Sequence, residues 1–146
     1  MTPDGISTHD WEKVMELAAD IANAVGAEDH VLSSKYTEEL LAYLEELKAT
    51  YGALSSILAT RADYVAETTE RLDLLKNAYT IAHKRGDTLN LTSIASSLAQ
   101  TYIDDLQDII EGQRWLSILN ECLAKHPDPT ERAEYNRLSQ KLREQS

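Results

Sequence analysis

Between Leu89 and Pro127 the apolar residues recur at three- and four-residue steps, a spacing that leaves little room for anything but helix. The segment LNLTSIASSLAQTYIDD sets Leu91, Ala95 and Ala99 on one row and Ile94, Leu98 and Tyr102 on the next. Both rows step by four, the period of an amphipathic helix. The segment LQDIIEGQRWLSILNECLAKHPDP carries Ile109, Ile110, Trp115, Leu116, Leu119, Cys122 and Leu123 and stops at Pro127, which cannot continue a helix. Ala and Ser line the first helix, so its backbone can approach a neighbour closely, and the second supplies the bulk that fills the gap. The pair is expected to form an antiparallel helical hairpin built to be stacked on another.

The rest of the chain follows the same period. Residues 1–7 are expected as a flexible tail and residues 8–146 as one helical domain. Ser7 or Thr8 caps a first helix through about Val25, with Trp11, Val14, Met15, Ala18, Ile21, Ala22 and Val25 as its apolar stripe. AEDHVLSSK reads as a loop. From about Ser34 a second helix carries Tyr36, Leu40, Leu41, Leu44 and Leu47, and Gly52 either breaks it or sits inside one long helix to about Val65; a break is favoured. A turn at Val65–Thr69, capped by Thr68 or Thr69, precedes a helix apolar on two sides (Leu72, Leu75, Ala78, Tyr79 and Ala82; Leu74 and Ile81) that ends at Gly86. Such a helix is sandwiched between neighbours. The last helix opens on Asp128 as cap, Pro129 at the first helical position and Glu131 completing a capping-box pattern. Its apolar residues are few, as suits a terminal capping helix.

The chain also matches itself at an offset of about forty. Leu58-Ala59 falls on Leu98-Ala99, Ala62 on Tyr102, Leu75 on Trp115, Tyr79 on Leu119 and Ala82 on Cys122. An earlier copy, Trp11 to Leu47, agrees in helix lengths and stripes. Leu98-Ala99 with Tyr102, continued by Trp115, Leu119, Cys122 and Pro127, resembles the tetratricopeptide-repeat superfamily over about residues 50–145. The resemblance implies a right-handed stack of antiparallel helical hairpins, six or seven helices in all, with a C-terminal capping helix. A closed antiparallel bundle is the alternative. No stretch alternates β-branched and aromatic residues as a strand would.

Composition narrows the function classes. Lys plus Arg number 14 against 25 Asp plus Glu, a net charge of −11. That balance repels phosphates, so nucleic acid is not an expected partner; it serves solubility or attracts a basic partner. Cys122 is alone and on an apolar row, a buried thiol rather than half of a disulfide. No basic, apolar leader is visible, and no segment approaches the roughly 18 apolar residues of a membrane span. The cytoplasm is the expected compartment. His9, His30, His83 and His126 are scattered without metal-ligand spacing, and the sequence holds no CxxC, GxGxxG, GxxxxGK[ST] or GxSxG. No catalytic residue, cofactor or metal is expected.

These features suit a non-enzymatic protein-interaction module that binds a peptide or protein surface on the face lined by the first helix of each hairpin, and the acidic balance makes a basic surface one expected partner. Ser56, Thr60, Asp63, Ser93, Ser96, Gln100 and Asp104 are the residues expected to face outward there. One alternative is an immunity protein or chaperone that neutralises a basic toxin or effector, with charge speeding capture. Another is a metal-binding or enzymatic helical protein using the acids from Asp104 to Glu111. Asp63 and Asp104 lie one repeat apart with a one-residue slip, and are expected near each other.

Overall fold

Backbone N–H groups at a helix start lack acceptors, and an oxygen-bearing side chain just before the helix supplies one. In the computed structural model, which describes residues 1–146, six of seven α-helices begin this way. Ser7 caps α1 (Thr8–Gly26) and Asp29 caps α2 (His30–Tyr51). Glu67 caps α4 (Thr68–Arg85), Asp87 caps α5 (Thr88–Gln100), Asp108 caps α6 (Ile109–Lys125) and Asp128 caps α7 (Pro129–Gln145). A short π-helical turn, Thr101–Asp105, follows α5. There are no strands.

Three boundaries differ from the sequence expectation. The loop after α1 is three residues long, because Asp29 accepts from the Leu32 N–H at 3.0 Å and starts α2 at His30. At α4 the cap is Glu67, whose carboxylate takes the N–H groups of both Thr69 and Glu70. Glu131 donates its N–H to Asp128 at 3.2 Å, but one of its own carboxylate oxygens is buried without a partner, so the capping box closes in one direction. Elsewhere the punctuation falls where expected. Gly52 ends α2 at φ +91°, separating it from α3 (Ser55–Tyr64). Gly86 ends α4 in the left-handed region, its N–H returning to the Ala82 and His83 carbonyls.

α3 is the exception, and it corrects the expectation of a flexible N-terminal tail. Its own cap position is Leu54, with no side chain to offer. Asp4 serves instead: one carboxylate oxygen accepts from the Ser56 N–H at 2.8 Å and the other from the Ser56 hydroxyl at 2.8 Å. Ile6 beside it is fully buried, and the Thr2 hydroxyl accepts from the Ile6 N–H at 2.8 Å. The segment is therefore anchored through Asp4 at the start of α3 and through Ile6 in the core, while Met1, Pro3, Gly5 and Ser7 stay exposed.

Burial of the apolar stripes divides the core in two. Ile6, Val14, Leu17, Ile21, Leu40, Leu44, Leu47, Leu54 and Ile57 form one cluster from α1, α2, the N-terminal segment and the start of α3. The larger cluster runs through α3 to α7 and includes Leu75, Leu98, Ile103, Trp115, Leu119 and Leu138. Consecutive helices pack on each other throughout, and α7 also reaches α5. Met15 and Val25, expected in the α1 core stripe, lie outside both clusters and each keeps 61% of its surface exposed. Ile110, expected to help fill the gap in its hairpin, is 81% exposed.

Among the glycines, only Gly112 in α6 has a neighbour within 4 Å of where a Cβ would stand. A Cβ there would lie 2.6 Å from Ile103 Cγ1, and Ile103 is fully buried, so the side chain would have to shift within the packed core. Alanine normally gains about 1 kcal/mol over glycine inside a helix; overpacking of a tight core costs about 1–3 kcal/mol. Gly112→Ala is therefore expected to lower stability in a denaturant titration. A gain would show that Ile103 moves aside freely.

Candidate interaction face

The seven residues expected to face outward do not share one surface. Ser56 and Ser96 are buried, which corrects their expected exposure. The Ser56 hydroxyl is held between Asp4 and the Asn90 side-chain amide, the latter at 3.3 Å. Thr60 is half-buried. Ser93 is exposed but borders a different hollow, shared with Thr92, His126, Asp128 and Glu131. Only Asp63 and Gln100 meet, in a hollow of about 300 Å³ lined by Asp63, Arg71, Leu75, Ser97, Gln100, Thr101 and Asp105.

Asp104 is the second correction. It is not among the residues that line the hollow with Asp63, and has Arg137 Nη2 at 2.8 Å and Lys141 Nζ at 2.7 Å from its two carboxylate oxygens. The Arg137 hydrogen bonds, aided by Lys141, hold its carboxyl below the ordinary carboxylate range. The acid that joins Asp63 is Asp105. The π-helical turn explains the exchange. Its i→i+5 bond, Leu106 N–H to Thr101 C=O at 3.1 Å, admits one more residue per turn than an α-helix would. The side chains that follow are rotated, so Asp104 swings to α7 and Asp105 to the hollow. A regular helical period carries no sign of such a widening.

Within the hollow the charges are unevenly matched. Arg71 Nη1 donates to Asp105 at 3.0 Å, and Nη2 reaches the Val65 carbonyl at 3.5 Å. Arg71 Nε is buried without a partner. Asp63 makes no ion pair within 4.0 Å. Asp63 is an exposed residue, yet crowding around its carboxyl raises its pKa above the ordinary value, against the opposing pull of Arg71. A cation brought close to such a carboxyl favours its charged form.

The remaining acids of the Asp104–Glu111 run are each engaged locally. Asp105 binds Arg71, Asp108 caps α6 through the Glu111 N–H at 3.1 Å, and Glu111 lies 3.7 Å from Arg114. No group of three or more His, Cys, Asp or Glu is arranged to hold a metal ion. Cys122 is buried, and desolvation raises its thiol pKa, the condition of an unreactive core cysteine. No helix is long and apolar enough to cross a membrane. No protein-family model matches the chain, and neither a curated protein nor a solved structure matches it.

Proposed function

We propose that this chain is a non-enzymatic protein-interaction module, a tetratricopeptide-like right-handed stack of antiparallel helical hairpins that takes a basic segment of a partner protein. The observation that carries the reading is the hollow in which Asp63 stands beside the Arg71–Asp105 pair without a cation of its own. A lysine or arginine side chain entering there would pair with Asp63, its opposite charge offsetting the desolvation that now opposes ionisation. The Gln100 amide, which donates to Glu134 at 3.3 Å, lies at the same hollow and offers a carbonyl acceptor. Long-range attraction supports the reading too: Thr8 to Tyr51 carries ten carboxylates against three Lys and Arg. Such a field speeds encounter with a cationic partner. It equally suits the narrower role of masking a basic toxin or effector, as an immunity protein or chaperone would.

Asp63→Asn separates binding from folding. An acid whose folded pKa is raised favours the fold in its protonated form, so its charge is a cost that sets in as pH rises through the folded value. Removing that charge is expected to raise stability slightly at neutral pH and leave it unchanged in acid. Association with a fluorescent lysine-rich peptide is expected to weaken, and to lose part of its salt dependence. A glutamate-rich peptide serves as the control. Equal affinity of the wild type for both peptides, or unaltered binding by Asp63→Asn, would refute the assignment of the hollow. Asp104→Asn, at an acid already neutralised by Arg137 and Lys141, is expected to leave peptide binding unchanged.

A further inference from the structure

Arg71 enters the hollow from α4 and makes only part of the contacts a guanidinium can make. Its Nη1 donates to Asp105 at 3.0 Å, its Nη2 has a long contact of 3.5 Å with the Val65 carbonyl, and its Nε is buried with no acceptor. A guanidinium binds a carboxylate best through two parallel N–H donors, and the pair with Asp105 uses one. Val65 directly follows α3, and Asp63 stands in the last turn of that helix. The guanidinium therefore already lies at the carbonyl end of α3, where the helix dipole favours a cation.

Asp63 lines the same hollow and forms no ion pair, yet Arg71 is the charge that acts on its carboxyl. α5 brings only Ser97 and Gln100 to this hollow, and Thr101 follows them, so the charged groups there besides Asp63 are Arg71 and Asp105. One arginine thus stands between two acids. Asp105 is the one that holds it, because the π-helical turn fixes the backbone around Asp105: the Leu106 N–H bonds the Thr101 carbonyl at 3.1 Å and the Asp108 N–H the Tyr102 carbonyl at 2.8 Å.

We propose that Arg71 is a tethered rival for the cation position at Asp63, and that Asp105 is the positioning residue that parks it, so that the Arg71–Asp105 pair keeps the hollow open to a basic partner. The inference rests on the reading of the hollow as a cation site and adds its regulation. With Asp105 withdrawn, the guanidinium turns to Asp63, whose two oxygens accept from Nε and one Nη, and the orphaned Nε gains an acceptor. The chain's own cation then fills the place that a partner's lysine would take. The control point is the π turn, since it alone decides that Asp105 faces Arg71. Widened turns of this kind are frequent at functional sites.

NMR titration of the Asp63 carboxyl in the full chain tests the rivalry without any partner. The Asp105 side chain is 47% exposed, so Asp105→Asn is expected to keep native helicity by circular dichroism. Asp63 is expected to titrate above the ordinary carboxylate range in the wild type and below it in Asp105→Asn. Adding Arg71→Gln to that variant is expected to return it above the range. Loss of the Asp105 charge without movement of Arg71 would shift Asp63 only slightly, because a half-exposed charge is screened by water. With the lysine-rich peptide, Asp105→Asn is expected to weaken binding about threefold. Arg71→Gln is expected to tighten binding more in the Asp105→Asn background than in the wild type, a coupling that independent charges do not show. An Asp63 that still titrates above the ordinary range in Asp105→Asn would overturn the proposal, and so would equal effects of Arg71→Gln in the two backgrounds. A wild type that ignores the peptide while Asp63 titrates as expected would count against the proposed function and for the exchange of Arg71 between its two acids.

Discussion

Replacing Trp115 with alanine is expected to remove about 3–5 kcal/mol of stability, a large fraction of the roughly 5–15 kcal/mol typical of a domain. Trp115 is 5% exposed and belongs to the larger core. Its ring meets the edge of Tyr79 in α4, centroids 5.0 Å apart and planes at 85°, a geometry that adds to simple burial. The side chain thus joins α6 to α4, and no small neighbour can swell to fill the space it leaves. Trp115→Phe separates the ring's packing from its polar atom. The indole Nε1 is buried without an acceptor, a cost of about 1–3 kcal/mol that phenylalanine does not carry. That gain offsets part of the lost area, so phenylalanine is expected to be much milder than alanine. Chemical denaturation of the two variants measures both effects. Equal losses would mean that a phenyl ring recovers none of the packing that the indole makes.

Trp115 was legible in the sequence because it falls on an apolar row with Leu119 and Cys122, stepping by four and three, and because the same row recurs forty residues earlier. Helix ends were legible for a similar reason. Gly52, Gly86 and Pro129 act through their own backbone restrictions, so a single residue announces the boundary. Features that depend on two distant segments were not. Gly112 sits among ordinary helix residues, and only the position of Ile103 shows why a side chain there is unwelcome. Met15 and Val25 continue a helical stripe as correctly as Leu17 does. Which row α2 covers is decided by the angle between the helices, which periodicity does not contain. The exchange of Asp104 for Asp105 in the hollow has the same origin, since one widened turn re-aims every side chain after it.

The N-terminal segment shows the limit most sharply, and it carries the other large effect. MTPDGIS reads as a tail because Pro3, Gly5 and three polar residues leave only Met1 and Ile6 as large apolar residues, and two residues five positions apart set no helical period. Yet Ile6 is fully buried with Val14, Leu40, Leu54 and Ile57, and Asp4 satisfies the start of α3 that Leu54 leaves open. The backbone closes around them, with the Thr2 N–H donating to the Ile6 carbonyl at 2.9 Å. Gly5, at φ +103°, makes the turn that lets both residues point inward. Ile6→Ala is expected to cost about 2–5 kcal/mol, and Asp4→Ala about 1 kcal/mol. The smaller core has nine buried members, so losing one weakens α1 and α2 more than the remainder. Hydrogen exchange is expected to show this unevenly, with α1, α2 and the first turn of α3 losing protection in Ile6→Ala while α5 and α6 keep theirs. Deletion of residues 1–6 should reproduce that pattern and deepen it. Uniform loss along the whole chain would mean instead that the two cores unfold as one unit. Unchanged stability in both the substitution and the deletion would return the segment to the status of a tail.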